Sequence, residues 1–204
     1  RLKEIFLNKN VPGEEHRHPP FDQGSKILKK CTLPITGVNC VKKIVTNLAV
    51  LEITTSGIKL KMQDITSYKC FGEDYFINTG APHHIKFVND VNNFDIKKEA
   101  TIIRNLPFYE QLDCNVNLVS DLGNGSIYVR TFEKGVERET LSCGTGAVAS
   151  VIAFSLKKKH NVKKVMTKGG ELKVIFQKNR LNEFSNVYLI GNPFLEYELS
   201  LIHI

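Results

Sequence analysis

The segment from Gly144 to about Lys159 is the strongest helix in this chain, and its apolar residues Val148, Ala149, Val151, Ile152 and Phe154 need a cover that other elements must supply. What precedes the helix is as informative. Glu137 to Ala149 reads Glu-Arg-Glu-Thr-Leu-Ser-Cys-Gly-Thr-Gly-Ala-Val-Ala, so a polar, acidic run leads into Cys143 and two glycines flank Thr145. A thiol is thereby placed at the first turn of the helix, where free backbone N–H groups point outward and the dipole favours negative charge. A cysteine there loses its proton more easily, from a free pKa of about 8.5 to as low as about 3.5–7.5. The N–H groups of Gly144, Thr145 and Gly146 can hold a carboxylate. One short segment then offers a reactive thiolate beside an anion cradle. The plainer alternative, a helix-start turn with a buried structural cysteine, ranks second, because such a thiol has no need of two flanking glycines.

The covering elements read as short strands. Residues 48–54 and 58–62 alternate and are rich in β-branched side chains, with Ser56-Gly57 between them, which is a hairpin pattern. Residues 74–78 and 84–88 are two more strands around a Thr79-Gly-Ala-Pro82 turn. Apolar Phe94, Ile96, Ala100, Ile102 and Ile103 predict a short helix that ends before Pro107. Residues 115–119 and 126–132 are strands separated by the turn sequence Asp121-Leu-Gly-Asn-Gly125. Strands at 162–167, 171–177, 185–190 and 194–199 complete the set, with a hairpin turn at Gly169-Gly170. The fold class is α+β, with mostly antiparallel strands wrapped around one central helix.

Composition narrows the function classes. The chain is 42% apolar and 24% charged, as in ordinary globular proteins. No apolar run approaches the roughly 18 residues of a membrane span, and no secretory signal is visible, so a soluble cytoplasmic protein is expected. The net charge of +7 comes from scattered lysines, with one cluster at Lys157-Lys158-Lys159-His160 where a helix C-terminus favours cations. No nucleic-acid motif accompanies it, and neither a nucleic-acid nor a membrane partner is expected. The five cysteines, Cys31, Cys40, Cys70, Cys114 and Cys143, are odd in number and lack Cys-x-x-Cys spacing, which fits reduced thiols better than disulfides or zinc. Cys70 and Cys114 read as structural. His16 and His18, beside two prolines, read as solvated loop histidines, and no metal is expected.

Four segments together resemble diaminopimelate epimerase, a member of the cofactor-independent amino-acid racemases and epimerases. The first is the Cys143 motif. The others are Phe76-Ile-Asn-Thr-Gly-Ala-Pro-His-His-Ile-Lys-Phe-Val-Asn-Asp90, Cys114-Asn-Val-Asn-Leu-Val119 and Val129-Arg-Thr-Phe-Glu-Lys-Gly135. They stand in family order with family-like spacing, and the resemblance covers about residues 45 to 198. It implies interconversion of L,L- and meso-diaminopimelate, on the route to lysine and peptidoglycan precursors, without a cofactor. With no pyridoxal phosphate as electron sink, one acid/base group must take the α-proton from one face while another delivers a proton to the opposite face. By resemblance Cys143 is one of that pair. Glu133 and His83 would tune the thiol. Asn115, Glu133, Lys134, Gly144 and Thr145 would bind the substrate, the last two through helix-start N–H groups on the α-carboxylate. Lys134 stands where the family has arginine and keeps the charge without the bidentate fork. Ala81 stands where many members have an asparagine ligand. The implied partner is a small-molecule amino acid, with a homodimer as an open arrangement. Taken singly, Asn115 could close a turn, Glu133 and Lys134 could be an exposed hairpin pair, and His83 could be a satisfied strand-end histidine.

The expected organisation is a partial or miscalled N-terminal half at 1–72, a C-terminal epimerase half at 73–198, and a tail at 199–204 that resembles translated sequencing adaptor. The first half is expected to be partial because the family's Cys-Gly-Asn-Gly segment has no counterpart here: Cys31 precedes Thr-Leu-Pro and Cys40 precedes Val-Lys-Lys. Two competing readings follow. One is a catalytically dead fragment that retains substrate binding. The other is a related isomerase acting on proline, hydroxyproline or a phenazine precursor. Cys143 argues against the phenazine type, and Glu-Thr-Leu-Ser-Cys-Gly-Thr-Gly fits the diaminopimelate enzyme better than proline racemases.

Overall fold

Ten consecutive residues of helix α2 (Gly144–Lys157), Gly146 to Ser155, are buried in the computed structural model. A helix apolar on every side can only sit inside other structure, and here the sheet curls around it. Residues 42–45, 50–54, 57–109, 112–158, 162 and 164–192 are described. The segment up to residue 41 with Cys31 and Cys40, the expected strand at 194–199 and the 199–204 tail lie outside them.

The strands are β1 (Lys42–Val45), β2 (Val50–Thr54), β3 (Gly57–Lys61), β4 (Tyr68–Phe71), β5 (Asp74–Asn78), β6 (Pro82–Phe87), β7 (Asn115–Asp121), β8 (Ser126–Glu133), β9 (Arg138–Thr140), β10 (Lys164–Thr167), β11 (Gly170–Lys178) and β12 (Phe184–Gly191). They form one sheet in the order β1-β2-β3-β12-β11-β10-β8-β7-β6-β5-β4, with β9 paired to β8 off that path. The expected hairpin is β2–β3, with Leu51 opposite Leu60. The Gly169-Gly170 turn joins β10 to β11 with Thr167 opposite Gly170. The turn after β7 has Gly123, Asn124 and Gly125 at positive φ, a conformation that glycine and asparagine accept most readily. Strands β1, β4 and β9 were not anticipated.

Two pairings are parallel, β6 with β7 and β10 with β8. Parallel neighbours need a crossover, and each of the two α-helices among the described residues lies in one. Helix α1 (Ile96–Arg104) lies between β6 and β7, and α2 between β9 and β10. Asp95 caps α1 by accepting from the N–H groups of Lys97 and Lys98, and Asn105 ends it before Pro107.

Strand alternation gives the sheet two buried faces. Ile77, Ile85, Val119, Ile127 and Val129 pack on α2 together with Phe154, Phe184 and Leu189. Val116, Leu118 and Phe132 face the other way and pack with Ile96, Ala100 and Ile103 of α1. Buried serines inside α2 are satisfied by the preceding turn, Ser150 donating to Gly146 O at 2.7 Å and Ser155 to Ile152 O at 2.9 Å. Short β9 is pinned by Arg130 of β8, whose guanidinium donates from Nε and Nη2 to both Glu139 oxygens at 2.7 and 2.9 Å. Arg130 also donates from Nη1 to the Val91 and Phe94 carbonyls, and Lys168 pairs with Glu139 at 2.8 Å.

Two predictions follow from this packing. Phe154, 1% exposed, fills the space between α2 and the sheet, so Phe154→Ala should cost about 3–5 kcal/mol in a urea titration, whereas Leu181→Ser, at a residue 78% exposed, should stay within about 0.5 kcal/mol. Glu139 supplies the second. Burial pushes its carboxyl up, but the bonds and charges of Arg130 and Lys168 outweigh that and hold it below the ordinary carboxylate range. A depressed folded pKa contributes stability that is present above the unfolded value and lost as pH falls through the folded one. Glu139→Gln should therefore lower the melting temperature at neutral pH, and the gap to the unmutated protein should close as pH falls below the carboxylate range.

Candidate active site

The face of the sheet that packs on α2 is apolar along most of the helix and polar at its start. His83 opens β6, Asn115 and Asn117 open β7, and Thr131 and Glu133 close β8. The i, i+2 spacing puts each of these on the side of Ile85, Val119 and Val129. All five are buried, from 0 to 3% exposed. Cys143 meets them as the N-cap of α2, with extended φ −126° and ψ 110° and no side-chain cap bond of its own. It is 3% exposed.

Thr145 joins the elements. Its hydroxyl lies 3.0 Å from His83 Nε2 and 3.5 Å from Cys143 Sγ. Its carbonyl accepts from the Thr79 hydroxyl at 2.9 Å, which ties the β5–β6 turn to the helix start. On the other side of the imidazole, Asn117 Nδ2 donates to His83 Nδ1 at 3.0 Å, and Thr131 donates to Asn117 Oδ1 at 2.8 Å. Asn115 donates to Pro82 O at 3.1 Å and accepts from the Lys134 backbone N–H at 2.9 Å. Glu133 accepts from the Thr140 hydroxyl at 2.7 Å, a bond that depends on β9.

The cluster closes only because Gly146 has no side chain. A Cβ there would stand 2.8 Å from Asn117 Oδ1 and 3.2 Å from both His83 Cε1 and Thr131 Oγ1. At Gly144 the neighbour is Leu189 Cδ2 at 2.7 Å, the far end of a flexible side chain.

Of the residues singled out from sequence, His83, Asn115, Cys143 and Thr145 come together directly, and Glu133 stands on the same face of β8. The Lys134 side chain is exposed and reaches the Asp113 carbonyl at 3.4 Å, so the residue joins the cluster through its backbone. Cys114 faces α1, where burial and then the nearby Asp113 carboxylate push its thiol up to about 12. Cys70 is exposed on edge strand β4, so the structural role read for it from sequence is not a core one. Sequence reasoning missed Asn117, Thr131 and Thr140. The first two lie two residues from Asn115 and Glu133, so strand alternation alone places them on the same face. Among the described residues no group of three or more His, Cys, Asp or Glu could hold a metal, and no helix is long and apolar enough to cross a membrane.

The fold is shared with the PhzF-family phenazine biosynthesis protein of Bacillus anthracis, whose crystal structure superposes with a TM-score of 0.54 at 11% identity, covering 76% of this chain and 66% of that one. Closer in sequence is the diaminopimelate epimerase of Flavobacterium psychrophilum, 37% identical over 147 residues, or 71% of this chain and 57% of that protein. The diaminopimelate epimerase of Aquifex aeolicus is 40% identical over 126 residues, or 60% of this chain and 44% of that protein. The chain thus spans about half the length of the curated relatives it matches. Residues 75–195 match the family model described as diaminopimelate epimerase, and the chain belongs to that family.

Gly146→Ala should cost about 1–3 kcal/mol through overpacking against Asn117 and Thr131. Gly144→Ala, opposed only by the tip of Leu189, should cost at most about 1 kcal/mol. Thermal melts of the two variants check the order.

Proposed function

We propose that this protein acts on diaminopimelate as an epimerase, with Cys143 as one of the two groups that exchange the α-proton. The observation that carries the reading is the placement of a buried thiol at the start of a buried helix, bonded through Thr145 to His83. A thiolate there is favoured by the helix dipole and by the hydroxyl donor. The N–H groups of Gly144 and Thr145 are suited to the substrate α-carboxylate, since first-turn amides point their hydrogens outward along the axis. Asn115 orients the substrate, and the buried Glu133 carboxylate offers a partner for its amine. Membership of the family and the relatives' names support the substrate, and the reaction places this protein in lysine and peptidoglycan-precursor synthesis.

The chemistry needs no electron sink if deprotonation and reprotonation come from opposite faces. Cys143 as thiolate takes the α-proton from one stereoisomer. As thiol it returns a proton to the carbanion formed from the other. The opposite face requires a second acid/base group. Among the described residues the other thiols, Cys70 and Cys114, stand outside the cluster, so the described half contributes one member of the pair.

The test is deuterium entry at the α-carbon. The protein is incubated under reducing conditions in deuterium oxide with L,L-diaminopimelate and, separately, with the meso isomer. Exchange from at least one isomer should occur and should fall by at least about 10²-fold in Cys143→Ala, the scale of a lost general base. Exchange that persists undiminished in a folded Cys143→Ala protein would remove Cys143 from the reaction.

A further inference from the structure

Asn117 lies outside the set that the family resemblance singles out, yet it is wholly buried and spends its donor on His83. A neutral imidazole carries one proton, and whichever nitrogen accepts a hydrogen bond cannot hold it. Asn117 Nδ2 donates to Nδ1 at 3.0 Å. That orientation leaves Oδ1 facing Thr131, whose hydroxyl donates to it at 2.8 Å. The His83 proton is therefore on Nε2 and points at Thr145 Oγ1, 3.0 Å away. With an acceptor role imposed on its oxygen, the Thr145 hydroxyl has its own proton left for Cys143 Sγ at 3.5 Å, within the reach of a bond to sulfur. Asn115 Nδ2 also stands 3.5 Å from Nε2, to which it cannot donate once that nitrogen carries the proton, and it donates instead to Pro82 O at 3.1 Å.

We propose that Asn117, braced by Thr131, is a positioning residue for the thiol: it locks His83 in the Nε2–H tautomer and so directs the Thr145 hydroxyl to donate to Cys143. The chain of donors runs one way, Thr131 to Asn117 to His83 to Thr145 to Cys143, and its end stabilises a thiolate over a thiol. Gly146 is part of the device, because any side chain there would occupy the space in which Asn117 Oδ1, Thr131 Oγ1 and the imidazole meet. The charged and titratable groups around the cluster have other principal partners. Glu133 of β8 accepts from Thr140, Glu139 of β9 pairs with Arg130 and Lys168, and Lys134 reaches the Asp113 carbonyl. His84, next along β6, faces α1 and bonds Tyr109 and Asp74. The importance of this arrangement for proton transfer rests on the acid/base role proposed above for Cys143. The tautomer and the thiol's ionisation do not, and both are read without substrate.

Long-range ¹H–¹⁵N correlation spectra of the full chain, assigned with His83→Gln, report the tautomer directly. The proton is expected on Nε2, and in Asn117→Asp, where a carboxylate now accepts from the ring, it should move to Nδ1. A proton on Nδ1 in the unmutated protein would overturn the proposal. Ultraviolet thiolate absorbance, taken as the difference from Cys143→Ala, then follows the ionisation of Cys143 with pH. Thr145→Val should raise its midpoint by about one pH unit, the scale of one hydrogen bond to a charged group, and Thr145→Ser should restore it. Asn117→Asp should raise it as well. A midpoint that Thr145→Val leaves in place would equally overturn the proposal, whatever the outcome of the exchange experiment.

Discussion

A glycine with no room for a methyl group holds the interior of this protein together. At Gly146 the first turn of α2 comes so close to the sheet that a Cβ would meet side chains of three different strands, His83 of β6, Asn117 of β7 and Thr131 of β8. That approach sets the depth of the helix in the wrapped sheet. It also decides which groups lie under the helix start, and there the sequence supplies polar side chains that bond one another instead of water. Further along α2, Ala147, Val148, Val151, Ile152 and Phe154 belong to the apolar core. The passage from polar to apolar takes about one helical turn. It gives the site dry walls on one side and a helix dipole on the other, both of which strengthen electrostatic interactions with a bound anion.

The elements that position this cluster do so from separate parts of the chain. Thr79 in the turn before β6 holds the Thr145 carbonyl, β9 supplies Thr140 to Glu133, and the turn after β8 supplies the Lys134 N–H to Asn115. Each is a single hydrogen bond to a buried or half-buried residue. Losing one leaves a desolvated polar atom without its partner, which costs more than the bond is worth in isolation. The Arg130–Glu139 pair has a comparable role at longer range, because it fastens the short strand that carries Thr140.

Much of the fold was legible from local pattern. Alternation found β2, β3, β5, β6, β7, β8, β10, β11 and β12, and the apolar run found α2 to within two residues of its end. Strand β9 escaped because Arg138-Glu-Thr140 is polar throughout and only three residues long; its place comes from the Gly135 turn and the grip of Arg130, not from burial. The parallel pairings escaped because pairing direction is set by where a helix crosses over, which no short window records. For the site, the motif around Cys143 pointed to the end of α2 where the buried polar cluster lies. His83, Asn115 and Glu133 emerged through resemblance, yet Asn117 and Thr131 follow from strand period alone once Asn115 and Glu133 are placed. Lys134 shows the limit of reasoning from residue type: its position contributes through a backbone N–H that any residue except proline would supply.

The two faces of β7 carry opposite chemistry, with Asn115 and Asn117 toward α2 and Val116 and Leu118 toward α1. A slip of one residue against β6 or β8 would exchange the two sets. Asparagines would then enter a hydrocarbon core with nothing to bond, and valine and leucine would lie beneath the helix start. Both halves of such an error are costly, and they add. The residues that would do the chemistry therefore also act as a check on strand alignment during folding, and a chain that has paired its strands wrongly has no site at all.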